Sequence, residues 1–353
     1  MPGEFEPQDH VYMLWPWRGD NWYNGAKPAQ WNYVDVAHAI NRFTPVTMCV
    51  TNAQYENAKA MLNDDIRVVE IASDDAWMRD IGPTFLINDE GKRRMVDWDF
   101  NAWGGLVDGL YFPWDQDSLV PQKIAEMDGF DRYRTEGFVL EGGSFHVDGD
   151  GTLMTTEQCL LSEGRNPHLS KNDIEDMLKD YLNVEKIIWL KEGIDPEETN
   201  GHVDDVAAFV RPGEVICLWT DDENHEFYEV CQDAYKRLNQ STDAKGRKLK
   251  IYKMPFPKEY VRYTAEEAKN VDTVEGTIPR EEGDLCAASY VNYLVSNNGV
   301  IVPQFGDDND ETALEVLRGI YPDKEVVGVL TRTIVLGGGN IHCITQQRPK
   351  GEK

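Results

Sequence analysis

Apolar residues at Ile174, Met177, Leu178, Tyr181 and Leu182 follow the three-and-four spacing that lines one face of a helix. Ser170 and Asp173 just ahead supply the hydroxyl and carboxylate of a reciprocal cap, so the pattern predicts a helix over 170–182. Similar stripes predict helices over 31–43, 118–127, 227–238 and 310–321. Short β-branched runs follow most of them, at 46–50, 184–190, 249–254 and 325–330, and read as strands. Between these pairs lie hairpin patterns with Gly or Asn at the turn, over 85–96, 144–155, 206–219 and 292–303.

Polar or acidic residues stand at the hairpin entrances. With the glycine-rich C-terminal segment added, the starts are Asp80, Glu141, His202, Asn292 and Cys343, separated by 61, 61, 90 and 51 residues. That spacing predicts about five related units, and radial packing of such units would aim every start at one central site. An ordinary doubly wound sheet alternates helices and strands in the same way, so the pattern alone leaves both architectures open. No Ser/Gly-rich or Pro-rich tract reads as a linker, so one α/β domain over 1–353 is expected, with 221–226 and 307–311 as solvated loops.

Composition narrows the partners. At 41% hydrophobic and 10% aromatic the chain is globular, and its net charge of −28 repels phosphate backbones and anionic lipid while attracting cations. Nucleic acid and membrane are therefore not expected as partners. No run approaches the roughly 18 apolar residues of a span, and residues 1–8 (MPGEFEPQ) lack a basic, apolar leader, so a cytoplasmic location is expected. The six cysteines are scattered without CxxC spacing, which argues against structural zinc and predicts that most are small buried apolar groups.

One cysteine stands apart. Cys343 follows three consecutive glycines in VLGGGNIHCITQQ, a backbone able to approach closely and leave a thiol exposed. A nucleophilic thiolate needs a cationic or dipolar neighbourhood. His342 adjoins it, but strand neighbours point to opposite faces, so the base is sought elsewhere. On an extended strand His202 and Asp204 of NGHVDD share one side, as an acid–base pair, a structural hydrogen bond or half a metal site. In DDAWMRDIGP, Asp80 either belongs to an acidic loop with Arg79 paired internally or joins Asp204 in gripping a planar cation such as guanidinium, with Trp77 as an apolar wall. Glu141, Asp195, Glu197 and Glu198 add negative charge nearby in sequence. The pairs Gly104-Gly105 and Gly142-Gly143 lack a phosphate-loop pattern, so no nucleotide cofactor is signalled.

These motifs, together with WPWR, KPAQ, VDWDFNAWGGLVDGLYFPWDQD, LEGGSFHVDG and SEGRNP, run in order nearly end to end. The chain resembles the agmatine deiminases, in the peptidylarginine-deiminase-like branch of the guanidino-group-modifying enzymes. The resemblance implies a five-bladed α/β propeller of ββαβ-type modules. It implies Cys343 as nucleophile, His202 as general acid and base, Asp80 and Asp204 as guanidinium-binding carboxylates, Glu141 as a supporting site residue and Glu198 as the acid at the distal amine. It further implies hydrolysis of agmatine to N-carbamoylputrescine and ammonia through an amidino-cysteine, in polyamine metabolism, without metal or organic cofactor. Three alternatives stay open. One is an arginine or peptidyl-arginine deiminase or an amidinotransferase on the same scaffold. The others are a metallohydrolase built on His202, Asp204, Asp80, Glu141 and His146, and a non-enzymatic polyamine-binding protein. The aromatic tract 98–114 suits core, lid or subunit contact, so a homo-oligomer is neither required nor excluded.

Overall fold

Four of the five expected hairpin starts lead into a small sheet of one recurring design. Thr84–Ile87 pairs antiparallel with Arg93–Asp99, which pairs parallel with Arg132–Val139. The same order recurs in Phe145–Val147, Thr152–Thr156 and Lys186–Leu190, and again in Ala207–Arg211, Glu214–Trp219 and Lys250–Pro255. It recurs once more in Leu294–Val295, Gly299–Gln304 and Glu325–Leu330. Tight turns suffice for the antiparallel pairs, whereas parallel neighbours need a crossover of about a dozen residues, here carried by helices. Those helices are Val120–Asp128, Lys171–Leu182, Tyr228–Gln240 and Asp310–Ile320. The computed structural model describes residues 1–195 and 198–351, and their fold is mixed α/β with several small sheets.

The fifth sheet joins the two ends of the chain. Thr345–Pro349 pairs antiparallel with Gln8–Leu14, which runs parallel to Val46–Val50, which in turn runs parallel to Arg67–Glu70. Helix Lys27–Asn41 makes the crossover and starts four residues before the expected 31, because Pro28 fits a first turn while Lys27 and Gln30 fall outside the apolar period. Helix Lys171–Leu182 matches its expectation in detail: Ser170 caps it, Asp173 N–H donates to Ser170 Oγ at 3.2 Å, and Ser170 N–H donates back to Asp173 at 2.9 Å. The predicted helix 118–127 divides into a short 3-10 turn, Asp117–Leu119, and helix Val120–Asp128.

What places the site is the residue just before each first strand. Asp80 lies in the helical turn Met78–Ile81, Glu141 precedes the turn Gly142–Ser144, and Asp204 lies in the turn Val203–Asp205. Asn292 and Cys343 each stand two residues ahead of a strand, Leu294–Val295 and Thr345–Pro349. Among the described residues no helix is long and apolar enough to cross a membrane.

Candidate active site

Asp80, His202 and Asp204 meet above Gly143. A Cβ there would lie 2.7 Å from His202 Nδ1 and 2.9 Å from both Asp204 Oδ2 and Asp80 Oδ1, so any side chain would occupy their common space. A Cβ at Gly142 would strike the Arg79 carbonyl at 2.2 Å. The glycine pair of LEGG is thus explained by close approach, not by a phosphate loop. Sequence reasoning placed His202 and Asp204 on an extended strand; they instead span the entry to a 3-10 turn. The turn curls both side chains toward Asp80 across the sheet boundary, with His202 Nδ1 3.8 Å from Asp80 and 4.0 Å from Asp204.

Asp80 is held from two sides. Gly143 N–H donates to Oδ1 at 2.8 Å and Trp103 Nε1 donates to Oδ2 at 2.9 Å. Trp103 and its neighbour Ala102 both have left-handed backbones, with φ of 65° and 54°, an uncommon conformation outside glycine that aims the indole at Asp80. Arg79, one residue earlier, follows the internal-pairing expectation and turns the other way, to Glu4 at 3.1 Å and Gln347 at 2.7 Å.

Cys343 sits in a turn, not on a strand, and its thiol is buried rather than exposed. Asn292 Nδ2 donates to the sulfur at 3.1 Å, and Asn292 Oδ1 accepts from the backbone N–H of His342 at 2.9 Å and of Cys343 at 3.3 Å. Asp204 Oδ2 is 3.5 Å from the same sulfur. The three glycines pack tightly around it. A Cβ at Gly337 would enter the Trp22 ring, one at Gly338 would overlap Glu198, and one at Gly339 would lie 2.9 Å from both Cys343 Sγ and the Trp77 ring. Trp77 is therefore beside the sulfur, stacked on Trp22 at 5.1 Å and hydrogen-bonded to Asp75 at 3.1 Å.

The remaining acids are already engaged. Glu141 forms a fully buried ion pair with Arg165 at 2.6 Å, and Arg165 also donates to Asn200 Oδ1 at 2.7 Å, to the Thr199 carbonyl at 2.9 Å and to the Trp103 carbonyl. Glu198 pairs with Arg280, which lies in the loop around 271–284 and donates to Asn21 at 3.1 Å. Asp195 accepts from the N–H groups of Glu198 and Thr199. Glu197 lies outside the described residues.

Burial pushes the Asp80 carboxyl up to about 8, helped by the charges of Asp204 and Glu141 and opposed by its two donors. Burial works the same way on Asp204, but the hydrogen bond and charge of His342, with His202 and Arg79, outweigh it and hold this acid below its ordinary value. Burial drives His202 down to about 3, with Arg165 and His342 reinforcing and Asp204 opposing. At neutral pH these shifts set a neutral imidazole and a protonated Asp80 beside an ionised Asp204. Burial raises the Cys343 thiol well above its usual range, and Asp204, Asp205 and Asp80 raise it further. Neither nitrogen of the buried His202 ring has a hydrogen-bond partner among the described residues, a costly state that marks functional sites.

Among the described residues, three groups of side chains bring potential metal donors within 4.8 Å of one another: Glu4, His146 and His342; Glu141, Cys159 and His202; Asp204, Asp205 and Cys343. The five-residue set of the metallohydrolase alternative is not gathered, because His146 stands with Glu4 and His342 while Glu141 stands with His202. Sequence reasoning missed Glu4, Asn292 as a sulfur contact, Arg165 and Trp103. The motifs MPGEFEPQ and SEGRNP carried Glu4 and Arg165 without any spacing that pointed to the site.

Residues 1–349 match the family model of Porphyromonas-type peptidyl-arginine deiminase. The solved structure of Enterococcus faecalis agmatine deiminase is similar at a TM-score of 0.97 and 61% identity, covering 99% of this chain and 95% of that one. Agmatine deiminase of Pseudomonas aeruginosa is 56% identical over 354 residues, covering 100% of this chain and 96% of its own. A Lactococcus lactis relative given the same name provisionally is 63% identical over 352 residues, at 100% and 96% coverage. With the match running end to end, the chain belongs to the Porphyromonas-type peptidyl-arginine deiminase family, on its agmatine deiminase branch.

Proposed function

We propose that this chain hydrolyses agmatine to N-carbamoylputrescine and ammonia, within one domain whose five sheets are the blades of an α/β propeller. The single observation that carries the reading is the convergence of Asp80, Asp204 and an unpartnered His202 around Gly143, with Asp204 in contact with the Cys343 sulfur. Asp80 and Asp204 grip the planar guanidinium, Trp77 walls it, and Glu141 with Arg165 holds the surroundings in place.

The steps follow from these positions. A bound cation lowers the cost of a thiolate, so the Cys343 proton passes to His202 and the sulfur attacks the guanidinium carbon. His202 returns that proton to a departing nitrogen, ammonia leaves, and an amidino thioether remains. The neutral imidazole then takes a proton from water, and the hydroxyl adds to the same carbon. Collapse expels the sulfur, which regains its proton from His202, and the ureido oxygen gives its own to solvent. Agmatine turned over faster than arginine, with ammonia rather than urea as product and activity persisting after chelation, is the expected result. Urea as the product sinks the cysteine mechanism.

The distal ammonium takes Glu198 in competition with Arg280. Arg280 also supports a second reading, because a cation at that end suits the carboxylate of arginine. Faster turnover of arginine in the same assay would favour it.

Substrate binding is coupled to a proton. Below about pH 8 Asp80 is protonated, and a guanidinium needs it ionised, so binding expels the proton. For agmatine, kcat/KM is expected to rise about tenfold per pH unit up to about 8 and then level. Calorimetry near pH 7, in buffers of different ionisation heat, should find about one proton released per agmatine. Heats that do not vary with the buffer would contradict the assignment.

A further inference from the structure

Behind Asp204 lies a row of charges that the steps above do not touch. His342 Nδ1 is 2.7 Å from Asp204 Oδ2, and His342 Nε2 is 2.9 Å from both oxygens of Glu4. Both ring nitrogens therefore face carboxylate oxygens, which accept hydrogen bonds. Neutral imidazole has one N–H and would set its bare lone pair against the second carboxylate. Only the imidazolium donates on both sides.

The row continues away from the sulfur. Glu4 pairs with Arg79 at 3.1 Å and faces His146 at 3.6 Å, while Arg79 also donates to the His342 carbonyl at 3.3 Å. Arg79, Glu4, His342 and Asp204 thus alternate in charge from the N-terminal segment to the nucleophile. Burial forbids solvent from supplying the missing charges, so each member depends on the next.

We propose that His342 is a positioning residue: an imidazolium, braced by Glu4, that fixes Asp204 as an oriented anion for the substrate guanidinium. The idea rests on the reading of Asp204 given above. With Oδ2 committed to His342, Oδ1 has no hydrogen-bond partner among the described residues and is the oxygen left for substrate. Asp204 also faces Asp80, Asp205, Cys343, His202 and Arg79, and its acidic neighbours favour protonation. The fixed cation at His342 is the counterweight. The ring itself is faced by Glu4, Arg79, His146 and Asp204. Residue 4, far from the nucleophile in sequence, becomes part of the active site.

The direct test is nitrogen NMR of the parent enzyme with labelled histidine, His342→Asn assigning the signal among seven histidines. Expected are two protonated ring nitrogens on residue 342 at pH 7, where a free imidazole is mostly neutral. A neutral tautomer at pH 7 overturns the proposal. This readout needs no turnover, so it stands apart from failure of the agmatine assay. The second test is the pH profile of Glu4→Gln and His342→Asn. Without the imidazolium, Asp204 takes up a proton at higher pH, so a second ionisation joins Asp80 on the acidic limb. That limb should steepen from about tenfold toward about a hundredfold per pH unit, with partial recovery above pH 8. A uniform loss across pH, with the slope unchanged, is the signature of a merely structural role and defeats the idea.

Discussion

Replacing Cys343 with alanine is expected to stop turnover while leaving the site able to hold agmatine. The sulfur is contacted by Asn292 and Asp204, yet neither depends on it: Asn292 keeps its bonds to Asp205 and the His342 backbone, and Asp204 keeps its bond to His342. Removing the thiol therefore deletes the proposed nucleophile without releasing the carboxylates proposed to bind the cation. A fall in kcat of about four orders of magnitude or more is expected, with agmatine affinity within several-fold of the parent. Mass spectrometry of quenched parent enzyme should find an amidino adduct on the peptide bearing Cys343, and none in Cys343→Ala. Turnover by the variant at the parent's rate would make the cysteine incidental and defeat the covalent mechanism.

Arg165→Met should have the largest effect on stability. Arg165 and Glu141 are both fully buried, and the guanidinium also ties the carbonyls of Trp103 and Thr199 and the side chain of Asn200. Its loss strands the Glu141 carboxylate in a dry interior, which costs about 3–5 kcal/mol when one partner of a buried pair is removed. The loop ahead of His202 and the indole that grips Asp80 lose their anchor together, so activity should fall as well. Arg165→Lys cannot restore them, because one ammonium lacks the planar fork that reaches several acceptors. Adding Glu141→Gln to Arg165→Met should recover part of the stability, since the stranded charge is gone. Denaturant unfolding that moves by less than about 1 kcal/mol in Arg165→Met would show the pair to be dispensable.

Helices and hairpins were legible in the sequence wherever their signals are local. The stripe at Ile174, Leu178 and Leu182 and the Ser170 cap lie within one segment, and the turns at 88–91 and 149–151 announce themselves with Asn and Gly. The first-and-last strand pairing was not legible, for two reasons. Its partners are remote, and Thr345–Pro349 is polar because Gln346 and Gln347 are buried against Arg79, which erases the usual alternation. Of the residues singled out from sequence, Cys343, His202, Asp204, Asp80 and Trp77 are brought together in space. Their supports were not legible: Glu4 reaches His342 across 338 residues, Arg280 reaches Glu198 across 82, and no spacing rule connects them.

Because Gln8–Leu14 finds its antiparallel partner only in Thr345–Pro349, the order of synthesis matters. About 330 residues separate the two partners, so the turn bearing Cys343 can dock beside Gln8–Leu14 only after the sheets between them have been made. The Cys343 thiol thus takes its place beside Asp204 late in folding, after the residues that surround it already exist.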